Sequence, residues 1–167
     1  MEELLYRAIP EAPGQTTAAA VLVRLVDAVG FRYRWATEGL RPAECAFRPG
    51  PESMTLLTLL QHVFNLAARC EQTFCGSQAK PAEQSDDLGA LRRQTLERLW
   101  SLRTRLASMS EDSLLKVQLR DLPFWNVING PLADALTHVG QINAWRRLAG
   151  NPAFKVNHMQ GKPPAEA

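Results

Sequence analysis

The chain holds only three histidines, and two of them stand where their neighbours allow chemistry. His138 follows Asp134 by one helical turn, with Ile142 and Trp145 one and two turns later. At ~100° per residue, all of these fall within about 40° of His138 on a helical wheel, so an acid and an imidazole share the face that should be core. Burying a carboxylate is costly unless a partner compensates. That partner can be the imidazole itself, an arginine from another helix, or a metal ion. His62 lies beside the apolar stripe of an earlier segment, with Leu59 at i−3 and Leu66 at i+4, and points inward or nearly so. Two imidazoles and one carboxylate leave coordination positions open, the pattern of catalytic zinc and facial-triad iron sites. Residue types alone leave two readings standing: an Asp134–His138 pair that satisfies itself in the interior, or a metal site completed by His62.

Two further residues belong to this face. Gln141 lies about 60° from His138 on the wheel and can orient a ligand or a water, while Trp145 can wall a pocket; helix-interface packing explains both equally well. His158 falls in the C-terminal stretch and reads as an exposed bystander. Cys70 and Cys75 diverge by about 140° on their helix, and Cys45 sits in a turn-rich connection, so the three cysteines read as reduced thiols that bind no metal. The chain has no Walker-type loop, no G-x-G-x-x-G, no G-x-S-x-G and no C-x-x-C, so nucleotide-binding and serine-hydrolase readings lack their parts.

The elements that must carry these residues are helices. A first helix begins at Thr16 or Thr17 and runs to about Gly39, with Val21, Leu22, Leu25, Val26 and Val29 at helical spacing and Gly30 tolerated inside. A second starts after Ser53 and ends near Gly76; a loop with Pro81 follows, and Ser85 with Asp86 and Asp87 opens a third that reaches Ala107. The arginines of that third helix, among them Arg92, Arg98 and Arg103, read as a solvated face, as do Glu71 and Glu97. After a short connection, with one brief extended piece at Val117–Leu119 and no convincing strand pair, a last helix spans roughly Phe124 to Ala149. Asn129-Gly130-Pro131 interrupts it as either a kink or a restart, and Gly150-Asn151-Pro152 closes it. Four helices of about 20 residues, each with one apolar stripe, make an all-α four-helix bundle over residues 16–152. Residues 1–15 read as an N-terminal arm and 153–167 as a loosely held tail.

Composition agrees with a soluble globule. The chain has 167 residues, 46% of them hydrophobic and 22% charged, with a formal charge of +2. That charge is too small to make a nucleic-acid partner the default, and no apolar run approaches the ~18–20 residues of a membrane span. Glu2 and Glu3 at the N-terminus argue against a secretory signal, so the cytoplasm is the expected compartment. Four tryptophans, Trp35, Trp100, Trp125 and Trp145, suit core or interface positions and allow a homodimer.

Two segments carry a family resemblance. Met54-Thr55-Leu56-Leu57-Thr58-Leu59-Leu60-Gln61-His62-Val63 is similar to the second-helix run of the DinB-like superfamily, which includes the YfiT-type metal-binding four-helix bundles. Asp134-Ala135-Leu136-Thr137-His138-Val139-Gly140-Gln141-Ile142 resembles that superfamily's final-helix pattern, His, three residues, His, one residue, Gly-Gln and an aliphatic. The likeness covers most of residues 17–152. It implies a divalent metal, zinc, nickel or iron, on His62, Asp134 and His138, with Asp134 where the common pattern has histidine and Val139 where an arginine is frequent. It further implies transfer, isomerisation or hydrolysis with a low-molecular-weight thiol or water as nucleophile. The alternative is a non-catalytic helical binding or stress-associated protein whose site is structural or metal-free.

Overall fold

Threonine and aspartate side chains set where the first three long helices begin. The computed structural model describes residues 4–79 and 83–165; the start of the N-terminal arm, Pro81 of the predicted loop and the end of the tail lie outside the described residues. Helix α1 (Ala18–Thr37) is capped by Thr17, whose hydroxyl accepts from the Ala20 N–H. Helix α2 (Leu56–Cys75) is capped by Thr55, two residues later than the expected Ser53. The reason is local: the Leu56 and Leu57 N–H groups donate to the Phe47 and Cys45 carbonyls, which delays the first helical turn. Helix α3 (Leu88–Ala107) is capped by the Asp87 carboxylate, and the Ser85 hydroxyl instead accepts from the Asp87 N–H.

Beyond α3 come a short helix α4 (Glu111–Leu115) and a minimal antiparallel ladder, β1 (Gln118–Leu119) against β2 (Leu122–Pro123). A single turn α5 (Trp125–Val127) leads into a wide, π-type turn over Ile128–Leu132, where Gly130 leaves helical geometry (φ −93, ψ −110) next to Pro131. Helix α6 (Ala133–Leu148) then starts afresh. The fold is all-α, with α3 and α6 each packed on both α1 and α2. Val26, Val29, Leu59, Val63, Leu96, Leu102, Val127 and Ile142, all fully buried, are part of the shared core. Among the described residues no helix is long and apolar enough to cross a membrane.

The arm and tail brace this core. Tyr6 takes a left-handed backbone (φ 55), which costs an L-residue about 1–2 kcal/mol, and its ring is 99% covered. The ring and that of Trp100 meet edge to face at 5.4 Å between centroids, and three carbons of the Tyr6 ring lie so close to Gly30 that a Cβ there would come to 2.5 Å from it. The Ile9 N–H donates to Gly161 of the tail at 2.8 Å, and Phe154 meets Trp35 edge-on. Buried Arg146 of α6 donates to the Ala36 and Glu38 carbonyls, satisfying and charge-complementing the C-terminus of α1.

Candidate metal centre

Asp134 is the hinge of the site. It lies in the first turn of α6, immediately after the wide turn, where a negative charge suits the helix dipole. Its Oδ1 is 3.1 Å from Nε2 of His138, one turn further along, and its Oδ2 is 3.3 Å from Nε2 of His62 on α2. The two imidazoles meet edge to face with centroids 4.6 Å apart. One ligand atom from each residue lies within 4.8 Å of the others, and among the described residues this is the one such group of His, Cys, Asp and Glu.

The second nitrogen of His138 decides what the first can do. Nδ1 donates to Oε1 of Gln141 at 2.7 Å, so a neutral His138 presents an unprotonated Nε2 toward the Asp134 carboxylate. A lone pair facing a carboxylate at 3.1 Å is repulsive unless a cation joins them. That cation is either a proton, making imidazolium, or a metal ion. Zinc-type bonds of ~2.0–2.2 Å place ligands of a tetrahedral site roughly 3.3–3.6 Å apart. The 3.1 and 3.3 Å contacts run to different oxygens of Asp134, and one atom from each residue gathers to within 4.8 Å, so the donor types suit a divalent ion and the three side chains would draw together to hold one.

The surroundings differ from a buried core face. The side chains of His62 and Asp134 are 40% and 45% exposed, and only His138, at 14%, is well covered. Leu132 and Ala135 on either side of Asp134 are buried, but the carboxylate itself is part-solvated rather than interior. His62 and Asp134 open onto a groove of about 870 Å³ between α2 and the β1–β2 turn. Gln141 is exposed and holds Nδ1 of His138, whereas Trp145 packs on the core and does not line this groove. Compared with family models, curated proteins and solved structures, the chain matches none.

The cysteines stand apart from the cluster. Burial pushes the Cys70 thiol up to about 12, and it also raises those of Cys45 and Cys75, leaving three poor thiolates. His158 is exposed and touches the Phe31 ring edge-on.

The predicted solvated face of α3 is the larger correction. Arg98 and Glu71 are both buried and paired with each other between α3 and α2, and Arg103 donates to the fully buried Asp27 of α1 at 2.7 Å. Burial raises the Asp27 carboxyl against the pull of Arg103. A helical wheel shows arginines between leucines but not the carboxylates opposite them. An Asp at position 27 within the apolar run of α1 was the available signal.

Proposed function

We propose that the chain is a four-helix bundle of the DinB-like, YfiT-related kind that holds a divalent ion, zinc, nickel or iron, on His62, Asp134 and His138 and works on a small molecule in the adjoining groove. The observation that carries this reading is the Gln141-held imidazole, whose Nε2 is turned toward the Asp134 carboxylate. When bound, a divalent ion supplies Lewis acidity and makes a low-molecular-weight thiol or a water a better nucleophile near neutral pH. The chain's own residues do the rest. Gln141 fixes the His138 tautomer, Asp134 brings a negative charge that strengthens cation binding, and the exposure of His62 and Asp134 leaves room for a substrate atom beside them. The test is metal analysis of protein purified without an affinity tag, beside a His62→Ala, His138→Ala double variant. Turnover of an electrophile in the presence of a thiol should then require the ion.

A second reading has one specific observation in its favour: Asp134 already reaches both histidines, at 3.1 and 3.3 Å, so protonated imidazoles would satisfy it without any ion. In that case the chain is a non-catalytic helical binding protein. Protein that takes up no zinc, nickel or iron at neutral pH would establish it.

A further inference from the structure

The groove beside His62 and Asp134 continues along α2 to Arg69 and Gln72 and is closed opposite by Gln118 and Arg120 of the hairpin. Arg69 is seven residues beyond His62, which places it ~10 Å further along the helix and within ~20° of the same direction. Both arginines are exposed, and neither guanidinium has a carboxylate partner among the described residues. Among the described residues Asp134 is the one carboxylate lining the groove, and it is engaged with the histidines. Away from the cluster, then, the groove is positive.

Arg120 adds an independent observation. It is the first of two residues joining β1 to β2 and takes φ 58, while Asp121 does not share a positive φ. That is the position of a two-residue hairpin that glycine fills without strain. An arginine there costs about 1–2 kcal/mol of backbone energy, and strain of this kind at a groove wall points to a ligand contact that offsets it.

Resting on the metal reading above, we infer that the groove takes a small molecule with an oxyanion arm, carboxylate or phosphate, held by Arg69 and Arg120 while its other end reaches His62 and Asp134. Guanidinium groups bind either oxyanion through paired, charge-assisted hydrogen bonds. The arm must be separated from the cluster-reaching atom by the length of about two helical turns.

The experiment titrates full-length protein, zinc-loaded and metal-free, with ω-mercaptohexanoate, ω-mercaptohexyl phosphate and the neutral ω-mercaptohexanol, following the amide resonances of residues 69 and 118–120. The two anions bind about tenfold more tightly than the alcohol, and the tighter of them names the arm. Arg69→Gln and Arg120→Gly each remove most of that preference and leave the alcohol unchanged. Arg120→Gly removes the guanidinium without placing another side chain in the left-handed backbone, and the unchanged affinity for the alcohol checks that the hairpin is intact. Equal affinities for all three probes, or a preference that survives in the double variant, overturns the inference. If the protein takes up no zinc, nickel or iron, the metal reading falls separately, and the same charge preference, read on metal-free protein, decides the groove.

Discussion

Nε2 of His62 and Oδ2 of Asp134 approach to 3.3 Å across the seam between α2 and α6, although 72 residues separate them in the chain. Neither helix makes the site alone. With His138 the pair forms one face of three donors, and the open side of that face is solvent and groove. Untagged protein is therefore expected to carry a divalent ion stoichiometrically. His138→Ala should weaken binding by about 100-fold or more, beyond the ~10–100-fold typical of losing an outer partner. Full metal content in the His62→Ala, His138→Ala double variant would sink the assignment.

Gln141 offers a gentler test of the same geometry. Its side chain is exposed and its Oε1 receives the Nδ1 proton of His138. Gln141→Leu should lower metal affinity about 10- to 100-fold while folding stability stays within ~0.5 kcal/mol, because nothing buried is lost. Zinc titration beside urea unfolding measures both. An unchanged affinity would mean that the amide does not set the imidazole's tautomer.

The helices and the Asp134–His138 pair were legible because each depends on a local period, one apolar stripe per helix and an i,i+4 spacing; His62 was placed on the inward side of its own helix by the same period, and its meeting with Asp134 rested on the family resemblance. What escaped depends on contacts between distant segments. Thr55 displaces Ser53 as a cap because the carbonyls of Phe47 and Cys45 take the next two N–H groups. Glu71 and Arg98 looked solvated because each faces the other from a different helix. Asp134 looked buried because it shares the wheel face of Ile142, whereas its carboxylate, turned toward His62 and His138 beside the groove, stays 45% exposed while Leu132 and Ala135 around it are buried. Arg69 and Arg120 carried no motif, and Tyr6 belongs to a segment with no period at all.

Tyr6 and Gly30 make a coupled pair whose sign is diagnostic. Gly30→Ala would add about 0.5–1 kcal/mol in an isolated helix, but here the new Cβ would meet the Tyr6 ring at 2.5 Å. The substitution should therefore destabilise the protein by about 1–3 kcal/mol as the ring is displaced. In a Tyr6→Ala background the same change should become stabilising. Denaturant unfolding of the four proteins gives the cycle, and additive effects would refute the packing of the arm on α1.

The Glu71–Arg98 pair bears on stability rather than on the site. Both side chains are at least 95% covered, and Arg98 also lies over the Phe64 ring. Glu71→Leu removes the carboxylate from a buried guanidinium and should cost about 3–5 kcal/mol, whereas a combined Glu71→Leu, Arg98→Met variant should recover much of that loss. Equal destabilisation in the single and double variants, measured by thermal or urea unfolding, would contradict a buried ion pair.

Glu44 links the α1–α2 connection to the end of α6 and gives the clearest pH dependence. Its Oε2 accepts from the Arg41 N–H at 2.8 Å, from Nε of Arg41 at 3.3 Å and from Nδ2 of Asn151 at 2.7 Å. Burial pushes the carboxyl up, but the Arg41 N–H, the Asn151 amide and the Arg41 guanidinium together hold it below its ordinary value of 4.5. A carboxyl lowered on folding binds fewer protons in the native state than in the unfolded one. Its contribution is therefore complete above the ordinary glutamate value and disappears as pH falls through the lower, folded value. Glu44→Gln should cost about 1–2 kcal/mol at neutral pH, the worth of a charge-assisted hydrogen bond or less, and the gap to the unsubstituted protein should close on acidification below 4.5. Urea unfolding of both proteins across that range measures the gap. A difference that stays constant with pH would show that the carboxylate charge is not what joins Arg41 to Asn151.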